Sequence, residues 1–452
     1  MHRIKFWLSA CFILFSFSQL AVARHENPPE AGVSSIREKV RDLQHLKGFF
    51  DLYWDQRNGQ LLLQIDRFDG EFIYQSSLAR GVGSNDLGLD RGQLGATRLV
   101  EFQRSGPKIL MVQKNTAFRA LSDDPAEQAA VESSFASSVV WGFEVVAETG
   151  GTVIVDATDF FLRDAHNIST RLSRTQQGSY KVDPTRSAVF LPRTRAFPDN
   201  TEVEAVVTYT GEPKYDDKGN AVSDLLADVV QDTDAFTVHL HHSFIRLPDD
   251  DYEPLAYDPR AGIIGAPWDS AFQDYAVPVG DSMRKRFGIR HRLRKLHPEA
   301  AVSEAVEPIV YYLDPGAPEP VRSALMEGAA WWNQAFEAAG YKNAFQVKLL
   351  PEDADPMDVR YNVIQWVHRS TRGWSYGYSV VDPRTGEIIK GHVTLGSMRV
   401  RQDYLIAEGL LAPYKDGSVP DTMLEMSLAR IRQLAAHEVG HTLGMEHNFA
   451  AS

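Results

Sequence analysis

Residues 437–447 read HEVGHTLGMEH, followed by Asn448. On a helix, His437 and His441 stand four residues apart, so their imidazoles share one face and reach a single ion, with Glu438 projecting beside them. A catalytic zinc needs a third protein ligand and an open fourth position for water. Gly444 supplies the route to it. Glycine tolerates the left-handed conformation that ends a helix and turns the chain back, which lets His447 approach the same ion. The stretch therefore reads as three zinc ligands, His437, His441 and His447, with Glu438 as general base toward water. Chance places these five residues at these spacings on the order of once in ten thousand chains of this length. Two plainer readings stand beside it: surface histidines on an ordinary helix, and a structural zinc site. A structural site would complete its shell with a fourth protein ligand and has no need of Glu438.

Working upstream, Leu424, Leu428, Ile431 and Leu434 recur at helical spacing, and Thr422-x-x-Glu425 forms a capping box, so the motif sits at the end of a helix beginning near Thr422. Before it, Pro308 to Pro315 holds a strand. Pro320 then opens a helix with apolar positions at Val321, Leu325, Trp332 and Phe336 that stops at Gly340, Trp331 and Trp332 being read as core. Residues 345–350, 361–368, 376–382 and 388–395 read as strands. Residues 301–452 are thus expected to form an α+β catalytic domain.

Further upstream, short apolar runs alternate with turn residues, as in Gln60–Asp66, Glu71–Gln75 and Glu202–Tyr209. Residues 48–188 are expected to form one β-rich domain and 189–300 a second β-rich region, preceded by a polar linker, 24–47. The first 23 residues carry Arg3 and Lys5, an apolar stretch from Phe6 to Leu20 and an Ala21-Val22-Ala23 cleavage site, which reads as a signal peptide. Its apolar stretch falls short of the ~20 residues that span a bilayer, and no other segment approaches that length. The expectation is an exported protein, periplasmic or secreted, with no transmembrane segment after cleavage.

Composition narrows the chemistry. The chain has 452 residues, 43% hydrophobic and 24% charged, enough for two or three globular domains. A formal charge of -13 is the wrong sign for holding phosphate backbones, so nucleic acid is excluded as a partner. The single cysteine, Cys11, is lost with the signal peptide. That leaves no disulfide, zinc-cysteine site or thiol nucleophile, and any metal must be held by His, Asp or Glu.

The stretch HEVGHTLGMEH resembles the metzincin zinc-binding consensus HExxHxxGxxH. YYLDPGAPEPVRSALMEGAAWWNQAFEAAG, LPEDADPMDVRYNVIQWVHR and GEIIKGHVTLGSMRVRQDYL look like a group of large exported bacterial zinc metalloproteases, in which N-terminal domains of undefined role precede a matrix-metalloprotease-like catalytic unit. The resemblance implies a twisted mixed sheet, a long helix and an active-site helix, one catalytic Zn2+, a protein or peptide substrate, and zinc ligation by His437, His441 and His447 with Glu438 as base and acid. It also implies an edge strand that pairs with extended substrate, for which Gly377, Tyr378, Ser379 and Val380 are the match. Two departures stand out. Asn448 is not the Ser, Asp or Glu of the best-known subfamilies, and no methionine follows Met445 to form the Met-turn. The C-terminal half of the catalytic domain is therefore expected to lie beyond Ser452, with residues 1–452 alone retaining zinc weakly.

Weaker signals have competing readings. His239, His241 and His242 in VHLHHS suit either a second metal site or an ordinary half-buried strand. The run RKRFGIRHRLRKLH, 284–297, suits an interdomain contact with acidic loops or an anionic surface. Asp249–Asp251 and Glu352, Asp353 and Asp355 are oxygen-rich enough for Ca2+ or simply solvated turns. The expected function is an exported zinc metalloendopeptidase. The alternative is a non-catalytic zinc-bearing periplasmic or surface protein, or an inactive fragment.

Overall fold

The computed structural model describes residues 34–266, 271–411 and 421–448. The signal-peptide reading of 1–23 lies outside the described residues, as do 24–33 of the polar stretch. The fold is α+β, a large sheet of thirteen strands followed by a six-stranded sheet with helices against it.

The large sheet runs from Gln44–Leu46 at one end to Gly178–Val182 at the other. Four of its strands matter for the site: β1 (Phe72–Arg80), β2 (Gln93–Ser105), β3 (Asn200–Pro213) and β4 (Ala235–Ile245). β4 pairs antiparallel with both β3 and β1, so strands from either side of residue 188 share one sheet. The expected division at 188/189 falls inside it. The partners, such as Ile73 with Ile245 and Leu78 with Leu240, lie more than a hundred residues apart in the chain, where local patterning carries no information. Residues expected as linker also join this sheet, since Gln44–Leu46 pairs with Leu52–Asp55. Phenylalanines fill the core: Phe50 meets Phe72, Phe102 and Phe244 edge to face, with centroids 5.0–5.8 Å apart.

The second sheet holds β5 (Ile309–Leu313), β6 (Phe345–Leu349), β7 (Asn362–Val367), β8 (Tyr376–Val381) and β9 (Glu387–Gly396), plus the short strand Arg290–His291. Its pairings are parallel except for β8, which runs antiparallel along β9. The helix expected from Pro320 to Gly340 divides into α1 (Val321–Ala330) and α2 (Trp332–Ala338). Trp331 at the break is 41% exposed, not core. Trp332 does pack inward, donating its indole N–H to the Ala436 carbonyl at 2.7 Å. A helix not foreseen, α3 (Met398–Leu411), follows β9. The last helix, α4, is Asp421–Thr442, which places Thr422 within the helix and not at its cap.

This sheet is covered on both faces. Tyr311, Leu313, Ile364, Val393 and Leu395 pack against apolar side chains of α1 and α4. The alternate positions Gln365, Lys390, His392 and Thr394 are buried as well, although polar. Their cover is the N-terminal region: Val380 of β8 clusters with Ile73 of β1 and Ile245 of β4. The loop before β2 ties down the β7–β8 connection. Asp90 accepts from Arg369 Nη2 at 2.6 Å and from the Tyr376 hydroxyl at 3.1 Å, with Arg369 and Asp90 side chains 1% and 0% exposed. Helix, sheet and sheet thus form three layers with the C-terminal end of α4 at one edge. No helix among the described residues is long and apolar enough to cross a membrane.

Candidate metal centre

α4 carries His437, Glu438 and His441 in its last turns, and its opposite face, through Ile431, Ala435 and Val439, is locked into the core. That packing fixes the rotation of the helix and so the direction of both imidazoles. The helix ends where Gly444 adopts φ 95°. Here a side chain is excluded twice over, by the left-handed backbone and by space, since a Cβ would lie 2.2 Å from the Ile289 carbonyl. The returning chain is then held by the N-terminal region: Ile264 N–H donates to Gly444 O at 2.8 Å, and Glu446 N–H donates to Gly262 O at 2.9 Å. His447 is delivered back to the helix by this bridge.

The three imidazoles converge. His441 Nε2 lies 3.2 Å from His437 Nε2 and 3.0 Å from His447 Nε2, and the third side of the triangle is 3.2 Å. Their chemistry asks for a cation. His441 Nδ1 lies 2.9 Å from the Met445 carbonyl, which can only accept, so the proton sits on Nδ1 and Nε2 presents its lone pair. With one corner bare of hydrogen, the three mutual contacts cannot all be hydrogen bonds. A tetrahedral ion with nitrogen ligands at about 2.0–2.1 Å sets those nitrogens about 3.3 Å apart, close to the triangle observed. The donor set therefore fits zinc. Among the described residues this is the group of three metal-type donors that the fold brings together.

The surroundings are graded in polarity. Burial, then repulsion from the two neighbouring imidazoles, holds His437 below its ordinary pKa. Burial also pushes the Glu438 carboxyl up to about 7, with Arg399 of α3 pulling the other way. Beneath the helix end, His291 Nε2 donates toward the Thr442 carbonyl at 3.1 Å, and Tyr311 donates to Thr442 Oγ1 at 2.8 Å. Nothing in the local pattern around His291 or Tyr311 announces this supporting role.

The other candidates separate. His239 pairs with Glu204 and His241 with Glu202, while His242 donates Nε2–H to the Phe161 carbonyl and accepts from the Tyr74 hydroxyl. Of the acidic runs, Asp249 goes to Arg292 at 2.5 Å and Asp355 to Arg193 at 3.5 Å, and neither run gathers three metal donors among the described residues. Arg292 also reaches Glu387 at 2.7 Å, so the basic stretch 284–297 does meet acidic loops. β8 pairs with β9 on one side and with no strand on the other among the described residues. Its first four residues after Tyr376 differ in aspect. Gly377 abuts α4, where a Cβ would come within 2.3 Å of the Glu438 carbonyl. Tyr378 and Ser379 line a cavity that reaches His441, and Val380 is turned into the apolar cluster with Ile73.

A family model described as Met-zincin matches residues 420–452, the span that contains α4 and all three histidines. The segment that carries the three histidines is thus similar to the metzincin one. Together, the match and the convergent histidines are consistent with a metzincin-type zinc metalloprotease. A second model, a domain of unknown function (DUF5117), matches residues 92–296. That span runs from the start of β2 to beyond the 262–264 segment that bonds to the turn after α4. No curated protein and no solved structure matches the chain.

Proposed function

We propose that the protein is an exported zinc-dependent metalloendopeptidase that hydrolyses peptide bonds of protein or peptide substrates, with Glu438 as general base and then acid. The observation that carries this is the triangle of Nε2 atoms at 3.0–3.2 Å, built from histidines only, on a helix end that also bears a buried carboxylate. Three protein ligands leave the fourth position of a tetrahedral ion for water, which is the open arrangement of catalytic sites. Zinc, when bound, supplies Lewis acidity, lowering the pKa of water to about 7 and polarising a carbonyl.

The remaining work falls to side chains. The Glu438 carboxylate, buried beside His437 at the end of α4, is the group placed to take and return a proton. It removes a proton from the attacking water and delivers it to the leaving amine, so no covalent intermediate forms. The Met445 carbonyl holds His441 in the tautomer whose Nε2 faces the ion, the usual service of a carbonyl behind a metal ligand. Gly377 to Val380 of β8, the strand whose Tyr378 and Ser379 line the cavity beside His441, are the segment assigned to the extended substrate.

Replacing Glu438 by Gln in the full-length protein should leave zinc content unchanged and lower turnover of an unstructured protein substrate by about 10²–10⁴. Turnover equal to the parent's would remove Glu438 from this role. Zinc content without any turnover in the parent would favour the non-catalytic zinc-bearing reading.

A further inference from the structure

The turn that follows α4 is bonded to a small sheet of the N-terminal region. Leu255–Ala256 and Gly265–Ala266 both pair with Phe287–Gly288, and Ile263, just before this sheet's last strand, forms an antiparallel bridge with Met445. Hydrogen bonds flank Met445 on both sides. Ile264 N–H donates to the Gly444 carbonyl at 2.8 Å, and Glu446 N–H donates to the Gly262 carbonyl at 2.9 Å. The upstream half of the bridge is itself fixed: Ile289 N–H donates to the Ile264 carbonyl at 2.9 Å, and Ile264, Ile289 and Ile388 form one buried cluster.

Two of the three histidines depend on this bridge. The Met445 carbonyl lies 2.9 Å from His441 Nδ1, and its direction is set by the bonded residues on either side of it, Gly444 and Glu446. His447 comes next in the chain, so its backbone starts from a bonded amide. On the N-terminal side the geometry turns on Gly262. It closes the short 3-10 turn Pro259–Ala261 with φ 63° and ψ 34°, in the left-handed region, and presents its carbonyl to Glu446. A Cβ placed there would meet nothing within 4 Å, so a substitution acts through backbone conformation and not through a clash.

We infer that Gly262 and Ile264 are positioning residues of the metal centre: through backbone bonds to the turn after α4, the N-terminal region aims the Met445 carbonyl at His441 and delivers His447, and so sets part of the zinc affinity. Groups behind a metal ligand commonly contribute 10–100-fold, on the order of one or two decades, to affinity. The inference rests on the zinc reading of the three histidines but not on peptide hydrolysis. It is also reciprocal, because an ion that binds more tightly when the bridge is formed must steady the bridge in return.

The test compares zinc affinities of full-length variants by chelator competition. Gly262→Val forces a β-branched residue into the left-handed region and should weaken zinc binding about tenfold. Gly262→Asn, which tolerates that region, should stay within about threefold of the parent. Gly59→Val is the control. Gly59 has φ 67° and nothing within 4 Å of an added Cβ, but it turns the chain between Leu52–Asp55 and Gln60–Ile65, so equal strain there should leave zinc affinity at the parent's value. Parental affinity in Gly262→Val, or an equal loss in Gly59→Val, would overturn the inference. A second measurement needs no variant. Zinc added to the metal-free parent should slow hydrogen exchange of the Ile264 and Glu446 amides about tenfold and leave that of Val238 in β4 unchanged. Unaltered exchange at Ile264 would overturn the inference even where Gly262→Val does not fold. If both effects appear but the parent cleaves no substrate, the bridge stands and the peptidase reading falls. If the parent cleaves and neither effect appears, the reverse holds.

Discussion

Two sets of three histidines behave in opposite ways. His437, His441 and His447 bring their Nε2 atoms within 3.0–3.2 Å of one another, whereas on β4 His239 lies against Glu204, His241 against Glu202, and His242 bonds Tyr74 and Phe161. The difference follows from the repeat of the element that carries them. Four residues on a helix return to the same face, while on the strand His242 points away from His239 and His241, and those two each lie against a glutamate of β3. Hydrogen-bond chemistry then completes it. His441 uses Nδ1 on a carbonyl and keeps the Nε2 lone pair for an ion, but His242 donates from Nε2 and accepts at Nδ1, leaving nothing to offer a metal. Density of histidines in a sequence is thus a poor guide to a site, and convergence of their ring nitrogens is a good one.

The largest expected effect comes from breaking the convergent set. His441→Ala should weaken zinc binding by roughly a hundred- to a thousandfold, since about 10–16 kcal/mol of structural zinc affinity shared over four ligands is about 2.5–4 kcal/mol each. Competition against a chromophoric chelator measures it, and affinity within a few fold of the parent's would separate His441 from the ion.

Next is the anchor that the strand region gives to β8. Asp90→Asn leaves Arg369 buried without its counter-charge and should cost about 3 kcal/mol in urea unfolding. Hydrogen exchange at Tyr376–Val381 should speed up more than at Asn362–Val367, because the Asp90 carboxylate accepts from Tyr376 directly. Uniform exchange across both strands would show that Asp90 does not hold β8.

Acid should then discriminate buried from exposed histidines. Burial holds His166 and His291 down to about 4, against the 6.5 of an exposed imidazole. The unfolded chain therefore binds protons first as pH falls. Stability should be flat with respect to these groups above about 6.5 and decline between 6.5 and 4, by about 2 kcal/mol for each at pH 5. His166→Gln should remove one such share from the difference between urea midpoints at pH 7.5 and pH 5. An unchanged difference would mean His166 is solvated.

The smallest effect is reserved for the strand set. His239→Asn keeps a donor for Glu204 and should change stability by about 1 kcal/mol or less, with zinc affinity untouched. A change in zinc affinity would make β4 part of the metal site.

Much of the C-terminal region around the histidines was legible because its signals are local. The spacing of His437, His441, Gly444 and His447, the strands Ile309–Leu313 and Tyr376–Val381, and the helix before the motif all follow from residues within a turn or two of each other. What escaped depends on distant partners. Lys390, His392 and Thr394 alternate with apolar residues exactly as a solvated face would, yet they are buried because the N-terminal sheet covers them. Lys390 finds its hydrogen bonds on the carbonyls of Pro356, Asp358 and Tyr361, none of them predictable from its own strand. The same distance hid the pairing of β4 with β1, and with it the unity of a region that reads as two. His291 and Asp90 lie far upstream of the groups they support, so only the folded chain assigns them a part in the site.

The central claim is that one ion is held by His437, His441 and His447 and by no other histidines. Replacing His437, His441 and His447 together by Ala in the full-length protein, and measuring zinc per chain after equilibration at fixed free zinc, tests it directly. The parent should hold one zinc and the triple variant none, while a variant with His239, His241 and His242 replaced by Asn should still hold one if it folds. One zinc retained by the variant lacking His437, His441 and His447 would contradict the claim.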